Sequence, residues 1–235
     1  MLIAAAVVPH PPALVPEVAQ GFAPDLDGLR AACDTAIDRL YTAGADELLV
    51  VGAGPQHTAN VAAIGSFHEY GLDLEVDGRW TAGTGDAAPM TLPFLVAGWL
   101  LRDRPDTPVR RAVMVDGPAE GSGGPLAETG SGQALLVLGD GTASRTPQAP
   151  GHFDERAGPY DAVVAHALAT ADAETLIALD AELARRLHVA GLPAWQALAA
   201  AATTAAASGV EYGADLLYEE APYGVGYFVA TWLAR

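Results

Sequence analysis

The sequence is poor in cysteine: Cys33 is the single cysteine among 235 residues. A lone cysteine excludes an intrachain disulfide and a metal cluster built from thiolates. Cys33 falls inside an apolar helical pattern, which favours a small buried core residue over a reactive thiol. A metal site in this chain would therefore draw on nitrogen and oxygen ligands.

Basic residues are also scarce, with 12 Lys and Arg against 29 Asp and Glu, for a net charge of −17. Nucleic acids and anionic membranes are bound through basic patches that neutralise phosphate, so the charge argues against both as partners. No apolar run reaches the ~20 residues that span a bilayer. The opening "MLIAAAVV" lacks the basic region of a signal peptide and meets prolines early. We expect a cytoplasmic protein.

Strand and helix patterns alternate along the chain. "LIAAAVV" and "ELLVVGAG" are short apolar runs typical of buried strands, and residues 24–43 between them place apolar side chains on one helical face. This β-α-β order predicts an α/β sheet with parallel strands, in a single domain over residues 1–235. Further strands are predicted at "LDLEV", "RAVMVDG", "ALLVLGDG" and "GYFVATW", and further helices at 91–102, 159–170, 173–190 and 193–208.

The segment 117–132, "GPAEGSGGPLAETGSG", is dense in glycine. A phosphate-binding loop is one interpretation, but the segment has neither the lysine of a P-loop nor the strand-turn-helix setting of a dinucleotide fingerprint. A surface loop is the better interpretation.

Two of the six histidines stand just after predicted strands. His10 lies in "VVPHPPALVPEV", where prolines end the first strand and stiffen its exit, and His57 follows the second strand. Ligands of open α/β sheets gather outside the carboxyl ends of the strands, so adjacent strands could deliver both histidines to one ligand. A pair of structural histidines is the alternative. His166 and His188 lie within predicted amphipathic helices, which favours structural or solvated roles, and His68 has no distinctive setting.

A carboxylate would complete such a site. Glu219 and Glu220 stand beside a proline–glycine turn that enters the last strand. Acidic residues there are costly unless they are exposed or paired. Two histidines and one carboxylate, with open positions, are the ligand set of non-haem Fe(II) oxygenases. Which of the two glutamates would serve stays open.

Four segments follow one another in a distinctive order: "VVPHPPALVPEV", "LLVVGAGPQH", "LGDGTASRTPQAPGHFDERAGPYD" and "YEEAPYGVGYFVA". Together they resemble the class III extradiol dioxygenase, LigB-like superfamily, and most of all its stand-alone, Memo-related branch. The resemblance spans nearly the whole chain. It implies a three-layer α/β/α fold with a central mostly parallel or mixed sheet.

The resemblance also implies a metal site and a reaction. Carried over position by position, it implies Fe(II), or another divalent metal, held by His10, His57 and Glu220, with Glu219 as the competing carboxylate. Iron in active relatives binds a catechol through both hydroxyls and O2 beside it, and the ring opens next to the diol. The implied partner is therefore a small aromatic molecule, and assembly with further copies of the chain is left open.

The sequence departs from this family at one position that matters for catalysis. Active relatives carry an acid–base histidine after a "GDxS"-type turn, whereas the turn here reads "GDGTASR" and the matching residue is Ala143. Positioned proton transfer is typically worth about 10²- to 10⁴-fold in rate. His152, on the loop just downstream, is the one nearby substitute, and an exposed loop histidine is the favoured alternative. "GAGPQH" is a second departure, since it replaces the commoner serine-proline-histidine exit at His57.

Two other functions compete with a dioxygenase. A metal- or partner-binding protein could keep the fold and lose the chemistry, as Ala143 suggests. Hydrolysis with a different metal is a third function, since a fold does not fix an activity.

Overall fold

A mixed six-stranded sheet forms the centre of the computed structural model, which describes residues 1–81, 83, 85–116 and 132–235. The strands are β1 Leu2–Val8, β2 Glu47–Ala53, β3 Ile64–Ser66, β4 Glu75–Asp77, β5 Val109–Val115, β6 Gln133–Leu138, β7 Tyr212–Glu220 and β8 Tyr227–Ala234. The central sheet has the order β5-β2-β6-β1-β8-β7, while β3 and β4 form a separate two-stranded sheet. Strands β5, β2, β6 and β1 run parallel, and β8 pairs antiparallel with both β1 and β7.

Helices connect the strands and cover the central sheet. The α-helices are α1 Pro16–Ala19, α2 Asp27–Thr42, α3 Leu92–Leu100, α4 Ala157–Thr170, α5 Ala173–Ile177, α6 Ala181–Arg186 and α7 Leu192–Ala206. Within the described residues, three short 3-10 helices span Pro12–Leu14, Gln20–Leu26 and Phe67–Tyr70. The predicted α/β class is confirmed. None of the helices in the described residues is long and apolar enough to cross a bilayer.

Side chains alternate between the two faces of each strand, and so they build two separate buried clusters. On one face Ala4, Ala6 and Val8 pack with α2 and α3. On the other face Ala5 and Val7 pack with α4 and α7. In α2 the buried positions recur every three or four residues, at Leu29, Cys33, Ala36, Ile37 and Leu40, which is the spacing of one helical stripe. Cys33 is fully buried, as its pattern predicts.

The predicted strands and helices are largely confirmed, with three corrections. Strands β1 and β2 are parallel but not adjacent, because β6 inserts between them and pairs with both. The predicted helix at 173–190 is two short helices, since Asp180 accepts a hydrogen bond from the N–H of Leu183 and so starts a new helix at α6. "LDLEV" contributes only β4, which belongs to the small sheet.

Strand β7 was not predicted. Its residues are mostly half-buried, without a clear alternation of apolar and polar positions, so the sequence carries little strand signal. Pairing with β8 stabilises the strand, in keeping with the dependence of strand formation on neighbouring strands. The glycine-rich segment lies outside the described residues over 117–131.

The carboxyl edge of the sheet is where several connections meet. The parallel strands β5, β2, β6 and β1 all end there. Strand β7 also ends at this edge and β8 starts there, because β8 is antiparallel to both neighbours. Every segment that follows β1, β2, β6 or β7 therefore leaves from one side of the molecule. This is the side where ligands of open α/β sheets bind.

Candidate functional site

His10 is a buried imidazole at the exit of β1, with only 6 % of its surface exposed. Proline residues stand on both sides of it, and the chain after it turns into the 3-10 helix at Pro12–Leu14. The main-chain N–H of His10 donates to Oδ1 of Asp140 at 2.7 Å. The imidazole Nδ1 lies 3.5 Å from the same oxygen and has no hydrogen-bond partner among the residues that the structure describes. The prolines and this hydrogen bond fix where His10 can stand.

Asp140 is the residue beside His10 that the sequence analysis missed as a functional candidate. It follows β6 by two positions, and its surroundings are fixed by the main chain: the Gly139 N–H donates to the Val8 carbonyl at 3.0 Å, and the Gly191 N–H donates to the Asp140 carbonyl at 2.9 Å. Burial raises the pKa of the Asp140 carboxyl, and the neighbouring His10 partly offsets the rise. The sequence signal was "LGDG", a carboxylate directly at a strand exit.

The loop that carries Asp140 is anchored by a second buried carboxylate, Asp161 of α4. Asp161 is fully buried and accepts hydrogen bonds from the N–H and the hydroxyl of Thr142, at 2.9 and 2.8 Å, and from Arg145 at 2.9 Å. The Gly141 N–H donates to the Gly226 carbonyl at 2.7 Å, which ties the same loop to the turn before β8. A Cβ at Gly226 would clash with the carboxylate of Asp161, which its own hydrogen bonds hold in place, so glycine is favoured there.

His57 is exposed and lies on the connection after β2. The Gly54 N–H donates to the Val115 carbonyl, and Thr58 exchanges two main-chain hydrogen bonds with Met114. Successive carbonyls of a strand point to opposite sides, so Gly54 and Thr58 flank β5 and residues 55–57 cross over its end. Strands β2 and β6 lie between β5 and β1. Residues 55–57 therefore lie three strand spacings, roughly 14 Å, from β1.

Glu219 and Glu220 are the last residues of β7, and both are exposed. The register pairs Glu220 with Tyr227 and Glu219 with Phe228, so the two carboxylates project from opposite faces of the sheet. Tyr227 belongs to the cluster on the α2 side, whereas Phe228 belongs to the opposite cluster. The hydroxyl of Tyr218 donates to Oε2 of Glu220 at 3.1 Å.

The face that carries Glu220 is also the face of Asp140. Burial raises the pKa of the Tyr227 hydroxyl, and the charge of Asp140 adds to the rise. Burial likewise raises the pKa of the Cys33 thiol, with Asp34 and Asp140 as the nearby charges. The charge of Asp140 thus acts on Tyr227 and Cys33, and both of these residues belong to the buried cluster on the α2 side. Register therefore favours Glu220 over Glu219 as the carboxylate on the side of His10 and Asp140.

Ala143 stands on the loop anchored by Asp161, and its main chain is fully engaged. Its N–H donates to the Leu187 carbonyl at 2.9 Å, and its carbonyl accepts from the Gly151 N–H at 2.8 Å. Its methyl group can neither donate nor accept a proton. His152 is exposed, has a left-handed backbone with φ of 59°, and donates its N–H to the Ala149 carbonyl.

The three predicted ligands share the carboxyl edge, but the described residues bring only His10 together with a carboxylate, and that carboxylate is Asp140. No group of three or more His, Cys, Asp or Glu side chains in the described ranges could hold a metal ion. The donor types match those of a facial triad. The buried imidazole of His10, whose Nδ1 has no partner among the described residues, is suited to bind a metal. The side chains of His57 and Glu220, however, are not assembled around it.

Comparison with known proteins does not add to this description. No protein-family model matches the sequence, and a search of curated proteins finds no match.

Proposed function

We propose that the chain is an extradiol-dioxygenase-like oxidoreductase that acts on a small aromatic, catechol-like substrate in the cytoplasm. The observation that carries the proposal is the buried His10 at the carboxyl edge, held against Asp140. The motif order of the sequence supports it, since the resembling segments supply the exits of β1, β2 and β6 and the turn before β8.

The proposed metal is Fe(II), with another divalent metal as the alternative, and its proposed ligands are His10, His57 and Glu220. The described residues do not assemble these three side chains, so the proposal requires the connection after β2 to move toward β1 when the metal binds. Iron would supply the redox chemistry of ring opening. The chain itself supplies a rigid frame: the prolines around His10 and the main-chain hydrogen bonds around Asp140 fix the backbone at the exits of β1 and β6. Preorganised groups of this kind cost little reorganisation when a ligand binds.

Proton transfer is the step for which the chain is poorly equipped. The methyl group of Ala143 cannot serve as an acid or a base, and the loss of a positioned acid–base group typically costs about 10²- to 10⁴-fold in rate. We therefore propose slow turnover of catechols by the wild-type protein. Ala143 also favours a second candidate function, a metal- or partner-binding protein that keeps this fold without catalysis.

Assay of the iron-loaded protein separates the two functions. Protein purified and loaded with Fe(II) under anaerobic conditions would be mixed with O2 and a panel of catechols, and ring-opened product would be followed by absorbance and mass spectrometry. Slow, iron-dependent product formation supports the oxidoreductase. Metal binding without any product supports the binding protein, and failure to bind any divalent metal would contradict both metal-based proposals.

A further inference from the structure

A groove at the surface of the molecule lies apart from the candidate metal site. It runs between α4 and the short helices α5 and α6, and its volume is about 700 Å³. Binding sites for small molecules typically have volumes of about 300 to 1,000 Å³. None of the proposed metal ligands His10, His57 and Glu220 lines the groove. Its occupant can therefore be considered independently of the metal.

The wall of the groove is mostly apolar, and its apolar residues are Pro159, Tyr160, Val163, Ala178, Leu179 and Leu183. Val163 is one of the large apolar side chains that the fold leaves exposed, with 46 % of its surface accessible to water. Residues three or four positions apart share one face of a helix, so Val163 stands beside Pro159 and Tyr160 on α4. A ligand that covered this wall would remove apolar surface from water, which is favourable. The ligand should therefore contain a ring or a short hydrocarbon chain.

Two carboxylates without ionic partners line the same groove. They belong to Glu155 and Asp180, and neither forms an ion pair with a basic side chain in the part of the chain that the structure describes. Oδ1 of Asp180 accepts the N–H of Leu183 at 2.9 Å, which fixes this carboxylate at the start of α6. Arg156 also lines the groove, but its guanidinium donates to both oxygens of Asp154, at 2.9 and 2.6 Å, and its charge is thereby neutralised. The groove therefore has a net negative charge, which attracts cations.

Tyr160 shows the sign of the charges around the groove. Only 6 % of its surface is exposed, and its hydroxyl has no hydrogen-bond partner among the described residues. Burial raises the pKa of this hydroxyl, and the negative charges of Asp180 and Asp161 add to the rise. The hydroxyl therefore stays neutral, and the charges near it are negative. Such an environment disfavours an anionic ligand and favours a cationic one.

We propose that this groove binds a small aromatic amine, with its ring on the apolar wall beside Tyr160 and Val163 and its ammonium group at the carboxylates of Glu155 and Asp180. An ammonium group only donates hydrogen bonds and an ionised carboxylate only accepts them, so the two groups match. Hydrogen bonds between charged groups are also stronger than those between neutral groups. The amine is not the substrate of the proposed oxidoreductase, and the site does not require the metal.

Three probes with the same phenyl ring test the preference for a cation. At neutral pH 2-phenylethylamine is a cation, 2-phenylethanol is neutral and 3-phenylpropionate is an anion. Titration of the metal-free, ¹⁵N-labelled protein, followed by the main-chain N–H signals in NMR spectra, gives the affinity and the location of each probe. We expect the amine to bind about 3-fold more tightly than the alcohol and the acid to bind least, with the largest shifts at Tyr160, Val163 and Leu183. Equal binding of the amine and the acid, or amine-induced shifts outside the groove, would overturn the proposal.

Neutral variants of the two carboxylates test their role. Asp180→Asn and Glu155→Gln remove a charge at nearly constant size, and asparagine still caps a helix. Each variant should weaken amine binding about 2- to 5-fold and leave the binding of 2-phenylethanol unchanged. Asp73→Asn, which removes an exposed carboxylate on another segment, is the matched control and should bind the amine as the wild type does. An equal loss in Asp73→Asn and Asp180→Asn would mean unspecific attraction to an acidic surface and would overturn the proposal.

Val163→Arg tests whether the amine binds in the groove itself. The variant places a long cationic side chain on the apolar wall, and amine binding should weaken about 10-fold or more because like charges repel across a binding surface. Val109→Arg changes an equally exposed valine on the edge strand β5 and should leave amine binding unchanged. Circular dichroism shows that both variants keep the fold, as expected for exposed positions. Unchanged amine binding by a folded Val163→Arg would overturn the proposal.

Discussion

Oδ1 of Asp140 accepts the main-chain N–H of His10 at 2.7 Å, which joins two residues 130 positions apart in the sequence. The contact links the exit of β1 to the exit of β6, and these strands are neighbours in the sheet. It therefore lies where the parallel strands end and where a ligand would approach. The stability of the loop after β6 should decide whether this arrangement persists.

Replacing Asp161 by alanine tests that loop. The substitution leaves the buried N–H and hydroxyl of Thr142 without their acceptor, and we expect the free energy of unfolding to fall by about 3 kcal/mol. Urea denaturation followed by circular dichroism measures the change. Asp154→Ala is the matched control on the same loop, since Asp154 pairs with exposed Arg156 and should matter far less. Equal destabilisation by the two variants would show that Asp161 does not anchor the loop.

Tyr212 predicts a loss of stability at alkaline pH. Its hydroxyl donates to the Leu2 carbonyl at 2.9 Å, and burial raises its pKa to about 12. An unfolded tyrosine ionises near pH 10, so between pH 10 and about 12 the folded chain holds a proton that the unfolded chain has released. The contribution of Tyr212 to the free energy of unfolding is therefore complete below pH 10 and falls as the pH rises toward 12.

Alkaline titration of tyrosinate absorbance checks this shift, with Tyr212→Phe as the reference. The difference between the wild type and the variant should titrate near pH 12, and the stability of the variant should fall less steeply above pH 10. A difference that titrates near pH 10 would mean that the Tyr212 hydroxyl is not buried in solution.

Much of the fold could be predicted because apolar periodicity is a local property. The runs at β1 and β2 and the stripe of α2 each lie in one short segment, and all three are confirmed. The position of β6 between β1 and β2 is set by pairing across more than eighty intervening residues, which no local pattern encodes. Strand β7 was missed for a similar reason, because its formation depends on pairing with β8.

The candidate site was predictable only in part. Prolines around a histidine at a strand exit are a local signal, and His10 is indeed buried at the carboxyl edge. Its contact with Asp140 depends on the strand order and could not be deduced from spacing. The roles of His57, Glu220 and His152 stay predictions, which the following variants test.

Glu219 and Glu220 provide a matched pair for the ligand carboxylate. Glu220 pairs with Tyr227 and faces the α2 side of the sheet, while Glu219 pairs with Phe228 and faces the opposite side. We expect Glu220→Ala to weaken metal loading strongly and Glu219→Ala to leave it nearly unchanged, as measured by elemental analysis after anaerobic loading with Fe(II). Equal loading of both variants would show that the carboxylate was assigned wrongly.

Ala143→His should raise the rate of ring opening. The variant restores an acid–base side chain at the position where the resembling family has one, and such groups typically contribute about 10²- to 10⁴-fold. Single-turnover product formation by the iron-loaded protein measures the gain, and His152→Ala serves as the companion variant. Fast wild-type turnover that survives the loss of His152 would contradict the interpretation that the site lacks its acid–base group.

Metal content of the anaerobically purified protein tests the central claim most directly. Wild-type protein offered Fe(II) should retain about one metal ion per chain after desalting, and His10→Ala should retain almost none, while the two proteins have the same far-ultraviolet circular dichroism. His68→Ala, which removes an exposed histidine on another segment, should load like the wild type. Wild-type protein that retains no metal, or His10→Ala that loads as fully as the wild type, would contradict a metal-dependent function at this edge of the sheet.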